Sequence, residues 1–446
     1  MKSIAVLGLS FLLLAPGAAS PSPLAQALPS WVSALPLWEW HPIPNTALSS
    51  VEPTPRPLGI TGPVSKIVAW CGATLKRQGS VYLIGAAGGH ADYGGNEVDA
   101  LQLNTAAPHW VELRGPSANS DMIGGSAVYL DLRGASTHTY YATQFIDARN
   151  RLLVFENPGA SGGPFPAPPA GFAYAGSQLT SSFNLSTNDW DPPSYIADYT
   201  SGGDWTACLV VKHPVTEDVY YNRYAAGWWR WTQATNAWAK LSDHNQPGNY
   251  RGAAIDPGRS RMLLVGGGGT PEVRGLDGAP IATTFGGLGA SALAVGGYPA
   301  VLYDEVNDTY LAVFNSGPSI GVLRINAGTW MVDAPAMTGT APAARQNGIQ
   351  NAAQYVPELG GLVIANTYNG NVYFMRTSSA GGSVPAPPAP PPAPPSPSPS
   401  PTAPSAGSSG SDPQRCGCGM VPSGPWGTVA GALAVAVALA LFLRRK

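Results

Sequence analysis

The chain has 446 residues, 44% hydrophobic and only 11% charged, with a net charge of -2 and unusually many glycines (54) and prolines (45). That length and apolar content allow a large core, and the lack of a basic patch argues against nucleic acid as a partner. Gly and Pro in such numbers serve many turns, as an exported β protein needs. In chain order, Met1 and Lys2 precede an apolar run over 4–15 and small residues through Ser20. This reads as a secretory signal over 1–25, too short for a spanning helix with these flanks, and the mature protein is expected to be exported.

Residues 31–377 carry two recurring phrases. The first is an apolar strand, a polar turn and a tryptophan, at 101–110 (LQLNTAAPHW), 183–190 (FNLSTNDW), 231–238 (WTQATNAW) and 323–330 (LRINAGTW). The tryptophans are 80, 48 and 92 residues apart, about one or two periods of the ~40–50 residue unit of a β-propeller. One unit has therefore lost its tryptophan and another holds a long insertion. The second phrase, a small-residue strand, a turn and a strongly apolar strand, recurs at 70–84, 142–155, 207–221, 252–265, 300–314 and 351–365. Six such inner hairpins predict an all-β fold of six blades, with a seventh, degenerate blade in the insertions as the alternative. The last blade has a third strand at 371–376 and then no tryptophan strand, whereas 37–45 (LWEWHPIPN) is an outer strand with no blade before it. Pairing the two would close the ring and remove an exposed sheet edge.

Beyond the propeller, 378–414 is a Pro/Ser-rich stalk, with 12 prolines in the 21 residues 384–404. Polyproline II at ~3.1 Å per residue would let it reach roughly 90 Å. Residues 426–443 then run for 18 positions without a charge and are followed by Arg444, Arg445 and Lys446. This predicts a single C-terminal transmembrane helix with a cytoplasmic basic end, and a membrane partner for the tail at 415–446.

Two family resemblances follow. Gly88-Gly89-His90-Ala91-Asp92-Tyr93-Gly94-Gly95-Asn96-Glu97-Val98, with Leu101, Leu103 and Trp110, resembles a Kelch motif, in which a double glycine ends the second strand and a Tyr and a Trp pack between blades. The match is weaker elsewhere, where 266–269 (GGGG) is the other clear glycine signature. The resemblance implies a Kelch-like propeller and says little about function. Galactose oxidase shares that propeller and binds copper through two Tyr and two His, one Tyr being joined to a Cys. That constellation does not map onto this sequence, and no cofactor or metal is expected. Arg415-Cys416-Gly417-Cys418-Gly419, the apolar run and the basic end resemble the C-terminal sorting tails of myxobacterial surface proteins. There a tail cysteine is the processing or lipidation site, which would make Cys416 or Cys418 the permanent anchor. An ordinary tail anchor, or an oxidised Cys416/Cys418 pair, is the alternative.

Chemical motifs are scarce. Gly159-Ala-Ser161-Gly-Gly163 matches the G-x-S-x-G elbow of serine hydrolases but lies in a Gly/Pro-rich insertion with no helix after it, and is read as a chance match. The six histidines are scattered, and no zinc-type or calcium-loop spacing occurs. Cys71 and Cys208 fall on inner strands of non-adjacent blades and are expected as buried free thiols, a disulfide being the alternative in an exported protein.

The candidate site comes from the ring geometry, since the start of each innermost strand and the loop between second and third strands open on one face. The strand starts offer Trp70, His138 with Tyr140 and Tyr141, Asp204 with Trp205, Tyr250 with Arg251, Tyr298, and Arg345 with Asn347 and Gln350. The blade 1 loop adds His90, Asp92 and Asn96. Rings beside Arg, Asp, Asn and His suit a sugar or a peptide. The ligand-binding set is thus His90, Asp92, Asn96, His138, Asp204, Trp205, Arg251, Arg345 and Asn347. The alternative for the rings is packing between blades, for His90 and Asp92 loop capping, and for the arginines an internal partner such as Asp204. The expected function is a surface-displayed binder of a carbohydrate or an extracellular protein. Its rival is a secreted enzyme acting on glycans from the central funnel, an oxidase, hydrolase or lyase, with Asp92, Asp204 and His90 as acid and base groups. A purely structural spacer is a third reading.

Overall fold

The computed structural model describes residues 28–379 apart from 78, 199–203, 225 and 245–249, and apart from the side chains of 204–208, 223 and 224. The signal segment at 1–25, the stalk beyond 379 and the tail with Cys416, Cys418 and the apolar run lie outside the described residues. So do the side chains of Asp204, Trp205 and Cys208. Among the described residues no helix is long and apolar enough to cross a membrane.

Six sheets form the six blades of a β-propeller. Blade 1 consists of Thr74–Lys76, Val81–Gly85, Val98–Gln102 and Trp110–Arg114. Blade 2 is Thr143–Ile146, Arg151–Asn157, Leu179–Asn184 and Asp189–Trp190. Blade 3 is Asp204–Lys212, Val219–Tyr224, Gly227–Thr232 and Ala237–Ser242. Blade 4 is Arg251–Asp256, Arg261–Gly266, Glu272–Gly275 and Pro280–Ile281, the blade without the tryptophan. Blade 5 is Ala300–Asp304, Thr309–Ser316, Ser319–Asn326 and Met331–Asp333.

Blade 6 takes Ala353–Val356, Gly361–Ile364 and Tyr373–Arg376 from the end of the chain and Glu39–Pro42 from its start. Trp40 pairs with Met375 and His41 with Phe374 in antiparallel register, so the N-terminal strand closes the ring as the missing-strand argument requires. Two short pairings had no signal in the sequence: Gly286–Gly287 lies parallel to Met331–Asp333, and Thr338–Gly339 parallel to Glu39–Pro42. They add a fifth strand to blades 5 and 6.

The sequence periodicity has a direct physical cause. Each blade is covered by a neighbour on both faces, so its second strand carries a continuous apolar run; Arg261–Gly266 is buried at every position after the first. Every inner hairpin ends its turn on a left-handed residue: Ser80 (φ 46°), Asn150 (51°), Glu217 (59°), Ser260 (49°), Asp308 (51°) and Gly360 (63°). Asn, Asp, Ser and Gly reach that region at least cost. The repeated tryptophans pack edge-on or stacked against an aromatic of their own blade, Trp110 on Tyr82, Trp190 on Phe183, Trp238 on Tyr221 and Trp330 on Tyr310.

A buried cluster fills each of the six gaps between blades. Trp228 faces the gap between blades 3 and 4 and Trp231 the gap between blades 2 and 3, because positions three apart on a strand point to opposite faces. The long insertions of blade 2 form no seventh blade. They fold over a small core of their own, in which Met122, Ile123, Tyr129, Ala160 and Phe165 meet.

Candidate functional site

The chain arrives at each innermost strand on one face of the ring, here called the upper face. Several of the residues that make these turns are large and left-handed: Trp70 (φ 51°), Tyr140 (43°) and Tyr250 (70°), with His90 (50°) and Glu156 (51°) in the loops beside them. On the opposite face the same backbone region is mostly taken by small or polar residues. A bulky side chain held there costs about 1–3 kcal/mol, and such strain gathers where surrounding structure fixes side chains for a purpose.

These turns bring six rings into one run. His90 and His138 lie 4.2 Å apart between centroids, Trp70 is 5.0 Å from His138, and Tyr140 is 6.0 Å from His138. Tyr140 is 6.3 Å from Tyr298, and Tyr298 is 4.5 Å from Tyr250. The run therefore passes from blades 1 and 2 across the ring axis to blades 5 and 4. Tyr141 anchors it, its hydroxyl donating across the ring to the Pro299 carbonyl at 3.0 Å. Trp70, His90, Tyr250 and Tyr298 are partly exposed, whereas His138 and Tyr140 are 7% and 8% exposed.

Polar groups converge at the blade 1 and 2 end. His138 Nε2 is 3.1 Å from Asp92 Oδ2, and Thr61 Oγ1 donates to Asp92 Oδ1 at 3.1 Å. The hydrogen bond from His138 holds the Asp92 carboxyl below the usual range, outweighing its partial burial. Burial, and then the neighbouring His138, push His90 down to about 4, so a neutral imidazole stands beside an ionised carboxylate. Ser161 Oγ is 3.4 Å from His90 Nδ1, and the Ser161 N–H donates to the His90 carbonyl at 3.3 Å. The Glu156 carboxylate accepts from the Tyr221 hydroxyl at 2.8 Å.

The double glycine makes this loop possible. A Cβ on Gly89 would lie 2.3 Å from the Thr137 Cα, and Gly88 has φ 115°, a conformation that L side chains rarely adopt. Any side chain at these two positions would push His90 and Asp92 away from His138.

Of the residues expected at the site, His90, Asp92 and His138 come together on the upper face. The backbone of Asp204 starts the inner strand of blade 3, pairing with Tyr224. Asn347 stands at the turn leading into blade 6, and its amide donates to the Val68 carbonyl at 2.7 Å. Asn96 is fully buried, donating to Gly134 O and Ser117 Oγ and accepting from the Ser117 N–H, and so ties the insertion to blade 1. Arg251 is 1% exposed and bonds Glu272 and the Thr270 carbonyl inside blade 4.

Arg345 is 2% exposed and donates to the carbonyls of Cys71 and Gly348 and to Gln350 Oε1. Its fork therefore joins blade 6 to the lead of blade 1. Cys71 is a free, buried thiol, pushed up to about 12 by burial. Sequence reasoning set Ser161 aside for lack of a following helix. No helix follows it here either, yet the insertion folds back and lays Ser161 on the blade 1 loop.

A second space, about 150 Å³, lies along the ring axis and touches all six inner strands through Thr74, Gln144, Val210, Ala254, Val301 and Gln354. It extends to Arg77, Lys212 and Glu305, at the inner hairpin turns and so on the other face from the rings. The side-chain amides of Gln144, Asn351 and Gln354 donate to strand carbonyls around it, which makes it part of the ring's internal bonding. Among the described residues no group of three His, Cys, Asp or Glu is arranged to hold a metal ion.

Fold and site together define a six-bladed β-propeller with an aromatic and histidine-rich upper face. No family model matches the chain, and no curated protein matches it. Among solved structures, TolB from Acinetobacter baumannii is 9% identical with a TM-score of 0.35, covering 62% of this chain and 56% of that one. U3-55K is 10% identical, also with a TM-score of 0.35, covering 68% of this chain and 79% of that one. This chain thus spans little more than half the length of TolB. Likeness at this level carries no argument about function, and the propeller is established by the chain's own six sheets.

Proposed function

We propose that this protein is a Kelch-like binding module, exported and held at the cell surface by its C-terminal tail, whose upper face takes a carbohydrate. The observation that carries the reading is the run of six rings from His90 to Tyr250, set in strained backbone and flanked by Asp92. Partly exposed ring faces stack on the C–H faces of a sugar, while Asp92 and the two imidazoles offer donors and acceptors to its hydroxyls. The apolar start, the Pro-rich stretch at 384–404 and the uncharged run before Arg444 support export and anchoring. An extracellular protein is the other ligand class that suits the same surface.

One contact favours a second reading. Ser161 Oγ beside a neutral His90, with Asp92 on the next imidazole, places a hydroxyl next to a proton acceptor, the arrangement that ester hydrolysis on an acylated glycan would use. A single experiment separates the readings. The purified chain is applied to a broad glycan array and, in parallel, to a chromogenic acyl ester, together with a Trp70→Ala, Tyr298→Ala double variant and with Ser161→Ala. We expect binding to a defined sugar that falls at least about tenfold, or about 1.4 kcal/mol, in the double variant and survives in Ser161→Ala. Ester turnover that vanishes in Ser161→Ala would make the enzyme reading the correct one. Absence of any glycan binding would remove the carbohydrate and leave a protein ligand.

A further inference from the structure

Away from the upper face, the short helix Ser65–Val68 leads the chain toward blade 1 and carries Lys66 into its interior. Lys66 Nζ lies 2.6 Å from Asp99 Oδ2 and 2.9 Å from Glu97 Oε1, and the three side chains are 1%, 0% and 0% exposed. Glu97 and Asp99 are two apart at the start of Val98–Gln102 and so point to the same side of that strand. The Tyr93 hydroxyl, also fully buried, donates to Glu97 Oε1 at 2.6 Å. The other oxygens of the two carboxyls, Glu97 Oε2 and Asp99 Oδ1, have no hydrogen-bond partner among the described residues. Ile67, which follows Lys66, and Leu101, two residues after Asp99, belong to the core between blades 6 and 1.

We propose that Lys66 and Asp99 condense to an isopeptide bond inside the folded propeller, with Glu97 relaying the proton. One amine set between two carboxyls leaves an excess negative charge in a dry site, which is unfavourable unless a proton is taken up. Burial pushes Asp99 up to about 7 against the opposing pull of Lys66, with Glu97 adding to the rise, so Asp99 can take the proton. Despite its burial, Lys66 is held above the ordinary lysine range by the two carboxyls, which makes it an ammonium that must first give up a proton. A carboxylic acid held against an amine is the reactant pair for an amide, and fixed proximity replaces the collision that makes the reaction slow in solution.

The step balances without any other reagent. Starting from the Lys66 ammonium, the Glu97 carboxylate and the protonated Asp99, Nζ gives a proton to Glu97 and bonds to the Asp99 Cγ. The Cγ–OH bond breaks, and that hydroxyl leaves as water with a second Nζ proton passed by way of Glu97, which ends as the neutral acid. The product is a neutral amide in place of buried charges, and water lost from an apolar site is not available to reverse it. The bond would staple the lead-in helix to the third strand of blade 1, next to the gap where the ring is closed by Glu39–Pro42.

The test is a tryptic peptide map of the purified, folded full-length chain by mass spectrometry. We expect one branched species joining the peptide with Lys66 to the peptide with Asp99, lighter by about 18 Da than the two together, and no cleavage after Lys66. In Glu97→Gln, which keeps both reacting groups, the branched species should fall at least about tenfold, since a general acid and base contributes on that order or more. Separate peptides cleaved at Lys66 in the wild-type protein would overturn the proposal and leave an ion-pair cluster. The wild-type map decides the matter even if a variant fails to fold.

Discussion

The Arg345 guanidinium donates to four groups, the carbonyls of Cys71, Gly348 and Ile349 and the side chain of Gln350, and water reaches almost none of it. Burial opposes its charge and lowers its pKa, so these acceptors are what hold it in place. Arg345→Ala would leave buried carbonyls without donors, which costs about 3 kcal/mol or more. We expect a lower urea midpoint at unchanged slope; an unaltered midpoint would show that the clip is dispensable. An arginine near a ring axis reads from sequence as a ligand fork because most of its acceptors are backbone atoms, one of them 274 residues away. His90, Asp92 and His138 were legible because the first two share a loop with the double glycine and the third begins the next blade. Ser161 was not, since its neighbour is set by how an insertion folds back.

At the level of elements, the ring depends on a four-residue strand. Glu39–Pro42 covers Tyr373–Arg376, with Trp38 N–H and Ile43 N–H bonding Arg376 O and Val372 O on either side. Trp40 is 2% exposed in the core between blades 5 and 6. Trp40→Ala should cost about 3–5 kcal/mol, the usual range for emptying a large buried site. Removing the whole strand should expose an edge that pairs with other chains. Calorimetry of the first variant and light scattering of the second check this, and a strand-less chain that stays monomeric with the wild-type melting temperature would contradict it. The inner hairpins and the closing strand were legible because alternation, turn residues and repeat period agree in each blade. Gly286–Gly287 and Thr338–Gly339 were not, because two glycine-containing residues carry no pattern and pair only where a neighbouring edge is presented.

For the whole molecule, pH acts through groups that the fold keeps out of water. Burial pushes His213 down to about 4, its Nδ1 accepting from the Val215 and Thr216 N–H groups, and His90 falls to a similar value. From about pH 6.5 down to about 4 the unfolded chain takes protons on these imidazoles and the folded chain does not, so their effect is to lower stability as pH falls. Asp99, raised rather than lowered, acts in the opposite sense while it is uncondensed. The prediction therefore concerns a difference. His213→Asn keeps an acceptor for the two N–H groups but cannot titrate, and its melting temperature should drop less than that of the wild type between pH 7 and pH 4.5. Parallel curves for the two proteins would rule out His213 as a contributor.

The amino-acid sequence by itself determined the position of each inner hairpin, the strand that closes the ring and the face on which loops gather. All of these follow from short-range periodicity and turn chemistry, which repeat six times along one chain. The six sheets then settled the blade count. Only the tertiary structure decided which polar residues reach that face. Asn96, Arg251 and Arg345 turn inward to carbonyls and carboxylates, while Ser161 arrives from an insertion. The same holds for Lys66, Glu97 and Asp99, which look like ordinary surface charges in the sequence. Their meeting in a dry core depends on a helix and a strand 33 residues apart being packed together by the gap between blades, and no local pattern encodes that distance.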